Sequence, residues 1–396
     1  MGMCDMLENC VADTTQNWFP VPAPGMTPSP KPPLGIGIIG CGNVLSAYLP
    51  VAERLMARGL AKVTMVCGRE HQRERMAHEL GGVEFVVDHQ QLIESKDVDI
   101  VMVLTPMPEH ASLAKAALLA GKHVLLEKPL ATNLKDAAEL VELAHCSPGQ
   151  LICAPFTWLS PTFQTIWRRV RAGAIGRVVS ARGRYGWAGP DWSEWFFRAG
   201  GGSIFDLAVY NLTSLVGMLG PVRRVSAMSG VAIPERDIRG VRVPVEVEDN
   251  AHVLLDFGAA RFAVVTSGFT IQQYRGPGIE LYGTTGTIQM LGDDWDPDGY
   301  EMWQNEAACW QVFKEKQPDW PWADGLRHLV ESIHAGVRCV IQPEHAYHVL
   351  EVMIAAHTSS HEGRVIEVKS EFQPPAFDAK EVHVATHRMH DRTRGE

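Results

Sequence analysis

Leu34-Gly35-Ile36-Gly37-Ile38-Ile39-Gly40-Cys41-Gly42-Asn43-Val44 is the stretch on which the reading of this chain turns. An apolar run that breaks into glycines and then gives way to a helix-compatible segment, residues 45–58, is the opening of a strand–turn–helix unit. Gly35, Gly37 and Gly40 satisfy the literal G-x-G-x-x-G spacing, but Gly35 and Gly37 fall inside the strand. The glycines at the turn are Gly40 and Gly42. There Gly42, followed by Asn43 and Val44, lets a pyrophosphate approach the backbone at the helix N-terminus. The third small position of that fingerprint is occupied by Leu45, a departure from the pattern.

Working outward, the pattern alternates. Strands are predicted over residues 62–67, 83–87, 98–104, 123–126 and 151–154, with helical segments at 72–80, 90–94, 110–119 and 133–144. The almost unbroken β-branched run at 98–104 suits a central parallel strand covered on both faces. Such an alternation predicts an α/β fold with a doubly wound parallel sheet over residues 34–155, binding a nicotinamide dinucleotide. Where an acid would read the ribose, the chain has Cys67-Gly68-Arg69-Glu70. With no acid at Gly68 and with Arg69 able to pair with a 2′-phosphate, NADP is favoured over NAD; Glu70 argues for NAD if the register slips by two.

After about residue 155 the pattern changes. A helix at 161–172 and a strand at 177–185 lead into a Trp- and Gly-rich loop, 186–202, and a helix at 205–217. Strand-like segments at 222–228, 249–257, 261–269, 279–282 and 287–291 predict a C-terminal α/β domain, residues 156–370, built on a large, mainly antiparallel open sheet. Helices at 325–335 and 343–360 close it. Residues 1–33 read as a flexible arm, with seven prolines between Pro20 and Pro33, and residues 371–396 as a C-terminal tail.

Composition narrows the function classes. With 36 basic and 46 acidic residues, a net charge of -10, the chain is a poor match to a nucleic-acid backbone. No apolar run is long enough to cross a membrane and no secretory leader is evident, so a cytoplasmic location is expected. The eight scattered cysteines form no CxxC pair and read as buried small hydrophobes rather than disulfides or zinc ligands. His345 with His348, and His357 with His361, have helical spacing but no evident third ligand, so no metal is expected.

Thr105-Pro106 with His110, then Gly121-Lys122-His123-Val124-Leu125-Leu126-Glu127-Lys128-Pro129, then Gly200-Gly201-Gly202-Ser203-Ile204-Phe205-Asp206 with Tyr210, resemble the glucose-fructose oxidoreductase, inositol dehydrogenase and rhizopine-catabolism family over residues 34–370. The resemblance implies hydride transfer between nicotinamide and a carbon bearing a hydroxyl or carbonyl group, and homodimers or homotetramers formed through the C-terminal sheet. It places Thr105, Pro106, His110, Glu127, Lys128 and Pro129 at the cofactor, with a cis bond before Pro129. Lys128 corresponds to the lysine beside the reacting oxygen, where an ammonium stabilises developing negative charge. Asp206 and Tyr210 are four apart, so a helix presents both on one face. The commonest family pattern has His where this chain has Tyr210; a phenol there can exchange the hydroxyl proton, with Asp206 orienting substrate or Lys128.

Tyr185, Trp187, Asp191, Trp192, Trp195 and Arg198 precede the glycines. Flat aromatic faces cover the C–H faces of pyranose rings, and Asp191 and Arg198 can bind hydroxyls, so this segment, with Trp158 and Asn211, is read as the wall for a small sugar, cyclic polyol or diol. An aromatic diol suits the same surface. Two alternatives stand beside a simple dehydrogenase or reductase: glycoside cleavage through transient oxidation and elimination, and a catalytically silent nucleotide sensor or scaffold.

Overall fold

The computed structural model describes residues 32–314 and 317–377 and the backbone of 387–389. Cys4, Cys10 and the arm up to residue 31 lie outside the described residues, as does most of the tail beyond 377. The described residues form two compact units, one of residues up to 154 with 323–343 and one of residues 155–322 with those from 344 onward.

In the first unit β1 (Leu34–Ile39), β2 (Ala61–Cys67), β3 (Glu84–Val86), β4 (Ile100–Val103), β5 (His123–Leu126) and β6 (Leu151–Cys153) form one sheet in the order β3-β2-β1-β4-β5-β6. Every pairing is parallel. Strand order reverses between β1 and β4, the place where a doubly wound sheet opens a crevice at its carboxyl edge. All four residues of β4 are buried, as its β-branched run requires of a strand covered on both sides. Helices α1 (Leu45–Ala57), α2 (Arg73–Leu80), α3 (His89–Glu94), α4 (His110–Leu119) and α5 (Leu134–Cys146) supply the cover. The Asn133 side chain caps α5 by accepting the Asp136 N–H.

Residues 323–343, assigned from sequence to the C-terminal domain, pack with the first unit instead. The helix Gly325–Ala335 buries Leu326, Leu329 and Val330 completely, and its C-terminal half is tied down near α1 by the Arg58–Glu331 ion pair at 2.7 Å and by His334, 2.8 Å from the Leu60 carbonyl. Burial outweighs the half-exposed ion pair, since each apolar side chain removed from water is worth roughly 1.5–3 kcal/mol. Cys146 is disulfide-bonded, contrary to the expectation of reduced cysteines, whereas Cys41, Cys67, Cys153, Cys309 and Cys339 are free.

The second unit is built on β7 (Val178–Gly186), β8 (Arg224–Gly230), β11 (Asn250–Asp256), β12 (Phe262–Gly268), β13 (Ile279–Gly283), β14 (Gly286–Asp293), β15 (Asp296–Gln304), β16 (Cys309–Phe313), β17 (Ile366–Glu367) and β18 (His387–Met389). They form a ten-stranded sheet in the order β17-β8-β11-β12-β7-β13-β14-β15-β16-β18. All neighbours are antiparallel except β7 and β12, which run parallel. Alternation is clean on β11, where Ala251, Val253 and Leu255 are buried and His252 and Leu254 face outward. A separate hairpin, β9 (Glu235–Ile238) and β10 (Val241–Pro244), turns at Arg239 and Gly240. Its charged Glu-Arg-Asp-Ile run hid it from the sequence pattern, because little of it is buried.

The helix expected from residue 205 begins differently. A wide π-helical turn, Ile204–Ala208, precedes the α-helix Val209–Leu219. That helix lies against β7 so closely that a Cβ at Gly183 would stand 2.8 Å from the Asn211 Cβ.

Candidate active site

The chain leaves β1 through Gly40, whose φ is 108° and where an added Cβ would lie 2.6 Å from the Leu104 carbonyl oxygen. Only glycine satisfies both conditions. Gly35 and Gly37 are close-approach positions within the strand: a Cβ would meet the Asp97 carbonyl oxygen at 1.8 Å and the Leu92 side chain at 2.6 Å, respectively. At Gly42, by contrast, a Cβ would meet no described atom within 4 Å. Val44 brings no side-chain cap to the first turn of α1, whose Leu45, Ser46 and Ala47 amides donate to the Gly42, Asn43 and Val44 carbonyls at 3.2, 3.2 and 3.1 Å, so no side chain covers this end of the helix.

At the end of β2, a Cβ on Gly68 would be 2.7 Å from Cys41 Sγ and 2.9 Å from Gln72 Oε1, so a side chain here would have to displace both side chains. Arg69 donates its backbone N–H to Gln72 Oε1 at 2.9 Å, while Gln72 Nε2 donates to the Cys41 carbonyl at 3.0 Å. Arg75 donates to the same carbonyl. Sequence reading missed this arginine, although three residues separate it from Gln72 and a helix places the two on one face. Glu70 is occupied by Arg73, which grips both carboxylate oxygens at 2.6 and 2.9 Å.

After β4, the Thr105 hydroxyl is buried without a hydrogen-bond partner among the described residues, an orphan of the kind a ligand satisfies. His110 is 1% exposed, its ring nitrogens 2.8 Å from the Pro129 carbonyl and 2.9 Å from the Thr105 carbonyl, and so ties the loop after β4 to the loop after β5. The Lys128–Pro129 bond is cis. Buried Glu127 accepts the Tyr48 hydroxyl at 2.6 Å and the Lys128 N–H at 3.1 Å. Tyr48, reaching in from α1, was not legible as a site residue. The open cradle at Gly42, the uncapped α1 terminus and the orphaned Thr105 hydroxyl together fit a dinucleotide.

In the second unit, Tyr210 meets Tyr185 edge to face at 5.7 Å, and Tyr185 leans on Trp295 at 6.0 Å. Burial, reinforced by Tyr210, Asp206, Asp293 and Asp294, pushes the Tyr185 hydroxyl far above its usual range, so it remains a neutral phenol. The Tyr274 hydroxyl donates to Asp293. Asp294 is wholly buried beside Asn211 and Ser214 in contacts outside ordinary hydrogen-bond geometry, and burial pushes its carboxyl up to about 7. Asn211 is itself completely buried. Asp293 ends β14 and Asp294-Trp295 connects it to β15; two acids and a tryptophan at one hairpin were the overlooked signal.

The expected substrate wall divides. Trp187 and Trp192 stack at 5.4 Å, and Trp195 stacks on Phe196 at 3.8 Å, with Trp192 39% and Trp195 42% exposed. Asp191 is exposed, and its carbonyl accepts the Arg239 N–H. Arg198 does not offer a free guanidinium: Glu246 and Glu194 hold it at 2.5 and 3.1 Å. Trp158 is a core residue rather than a substrate contact, wholly buried, donating its indole N–H to the Thr213 carbonyl at 2.7 Å and meeting the His345 ring at a tilt, 4.4 Å between centroids. His348 is also buried, accepting the Val222 N–H at 2.9 Å. Among the described residues no helix is long and apolar enough to cross a membrane.

Residues 34–153 match the family described as "Oxidoreductase family, NAD-binding Rossmann fold", and residues 163–289 match its "GFO/IDH/MocA C-terminal domain". The chain belongs to the GFO/IDH/MocA oxidoreductase family. Its similarity extends to dTDP-3,4-didehydro-2,6-dideoxy-alpha-D-glucose 3-reductase of Streptomyces antibioticus, 29% identical over 66% of this chain and 76% of that protein. Levoglucosan dehydrogenase of Pseudarthrobacter phenanthrenivorans is 28% identical over 57% of this chain and 64% of its own length. The fold is also that of a levoglucosan dehydrogenase solved in complex with NADH, with a TM-score of 0.76 at 21% identity, covering 85% of this chain and 99% of that one. As a GFO/IDH/MocA protein, the chain is an NAD(P)-dependent oxidoreductase.

Proposed function

We propose that this oxidoreductase moves hydride to or from the hydroxyl-bearing carbon of a sugar, cyclic polyol or glycoside, with NADP as its preferred cofactor and Tyr210 exchanging the hydroxyl proton. When bound, the nicotinamide supplies or accepts the hydride. The observation that carries the reading is the placement of Tyr210 against the neutral phenol of Tyr185, in the unit that also carries the half-exposed Trp187–Trp192 stack. Tyr185 can donate to an oxygen but does not compete for its proton. The tryptophans offer apolar faces for a ring. The lysine role implied for Lys128 is neutralisation of charge on the substrate oxygen. Its backbone is anchored by Glu127, which in turn is held by Tyr48.

Three observations favour NADP. Position 68 carries glycine and no acid, Glu70 is paired with Arg73, and Arg69 and Arg75 flank the turn. Assembly belongs to the same proposal: Met228, Leu254, Phe262 and Val264 form exposed apolar positions on adjacent strands β8, β11 and β12, which suits a homodimer or homotetramer formed through the sheet. Turnover of a panel of sugars, cyclic polyols and diols with NADP and NAD, followed by nicotinamide absorbance, tests the reading. Oxidation or reduction of a ring substrate supports it, and cofactor binding without turnover across the panel contradicts it.

A further inference from the structure

Glu248 enters the second unit's core just ahead of β11 and is 7% exposed. Its Oε1 accepts the Ile204 N–H at 2.9 Å, and its own carbonyl accepts the Ser203 N–H at 3.2 Å. Gly202, with φ at 97°, passes so close that an added Cβ would lie 2.5 and 2.6 Å from the two carboxylate oxygens. The Gly202 carbonyl in turn accepts the Asp206 N–H at 3.1 Å, and the Ser203 carbonyl accepts the Ser267 hydroxyl at 2.8 Å. From the other side, His357 Nε2 stands 3.8 Å from Glu248 Oε2, and its ring stacks on Phe205 at 5.3 Å. Every residue from 202 to 206 is therefore tied to Glu248 or to a direct neighbour of it.

A backbone amide needs only a neutral acceptor, and burying a carboxylate for that purpose is costly. We propose that Glu248 is a positioning residue for the reaction, holding the Gly202–Ile204 backbone in the conformation from which the wide Asp206-bearing turn starts. This rests on the reading of Asp206 and Tyr210 as substrate-facing groups. The carboxylate does not touch substrate in this scheme; it acts through the turn. Because an ionised carboxylate accepts an N–H more strongly than a protonated one, the grip on Ile204 tightens as Glu248 loses its proton. Burial pushes Glu248 up to about 7, which puts that change near neutrality. The other ionisable groups around it are His357, lowered by burial, and Asp249 on the next residue, itself paired with Arg236 at 2.9 Å. The turn contributes backbone amides and the Ser203 hydroxyl.

Glu248→Ala and Glu248→Gln in the full-length protein separate the roles. In Glu248→Ala, kcat should fall about tenfold with cofactor Kd within about twofold, and amide exchange across residues 204–206 should accelerate. Glu248→Gln retains an uncharged acceptor, so it should keep kcat within about threefold and lose the kcat inflection near pH 7. Unchanged exchange at residues 204–206 in Glu248→Ala, or an inflection that persists in Glu248→Gln, overturns the proposal. If Glu248→Ala does not fold, the pH profile of Glu248→Gln decides alone. Amide exchange needs no turnover, so loosened amides alongside a fully active Tyr210→Phe would refute the Tyr210 role and leave the Glu248 role standing.

Discussion

Tyr210 and Tyr185 share an edge-to-face contact, yet their assigned tasks differ because only a residue that exchanges a proton must change charge during turnover. Tyr210→Phe preserves the ring contact and removes the hydroxyl. Steady-state kinetics should show kcat lowered about 100-fold or more, with cofactor Kd changed less than about twofold. In the proposed NADP reading Arg75, which donates to the Cys41 carbonyl at the turn after β1, faces the 2′-phosphate. Arg75→Ala should raise the NADP KM about tenfold and leave the NAD KM nearly unchanged, a difference read from paired titrations. What the sequence disclosed at this scale was backbone-limited chemistry. Gly40 was legible because few residue types tolerate such a position, whereas the Glu127-Lys128-Pro129 turn was legible only through the family resemblance. Trp158 and Arg198 misled because residue type does not reveal burial or partners: one indole is sealed in the core and one guanidinium is held by two glutamates. Tyr48, Arg75 and Asp294 went unseen because their partners are distant in sequence.

Among the elements, the strongly apolar strands of the parallel sheet were legible nearly end to end, since burial on both faces leaves an uninterrupted pattern. β15 and β16 were not, because Asp, Pro and Gly at the start of β15 and mixed burial along β16 break the alternation. The β9–β10 hairpin was equally hidden, although it holds the aromatic segment in place. Arg236 on β9 donates to the Ala188 and Phe269 carbonyls and pairs with Asp249, which is wholly buried. Val243 and Ile238 of the hairpin pack with Phe196, Phe197 and Phe269. Removing the guanidinium leaves a buried carboxylate without its counter-ion, so Arg236→Ala should destabilise the protein by about 3 kcal/mol, measured as a lower urea midpoint. Arg236→Lys restores charge without the fork and should recover part of that loss.

For the whole molecule, stability against pH follows from groups buried in the wrong charge state for water. Burial lowers His328, His345 and His348 each to about 4, from 6.5 when exposed. The unfolded chain takes up these protons first, so their contribution is full above about pH 6.5 and is lost as pH falls toward 4. Glu248 and Asp294 act in the opposite sense: each is raised to about 7, so the folded state holds protons that the unfolded chain has released, and stability falls as pH rises through 7. Glu248→Gln removes one of the opposing groups. Its unfolding free energy from urea titration should exceed that of the parent protein by roughly 3 kcal/mol more at about pH 8 than at about pH 4, and its decline on acidification should be steeper.

Turnover of a hydroxyl-bearing ring through Tyr210 is what we propose for this family member. The most direct measurement is single-turnover hydride transfer with NADP or NADPH and the ring substrate selected from the panel, comparing the parent protein with Tyr210→Phe at equal cofactor occupancy. A stoichiometric change in nicotinamide absorbance is expected in the parent, with a rate about 100-fold lower in the variant. Equal rates in the two proteins would contradict the proposal.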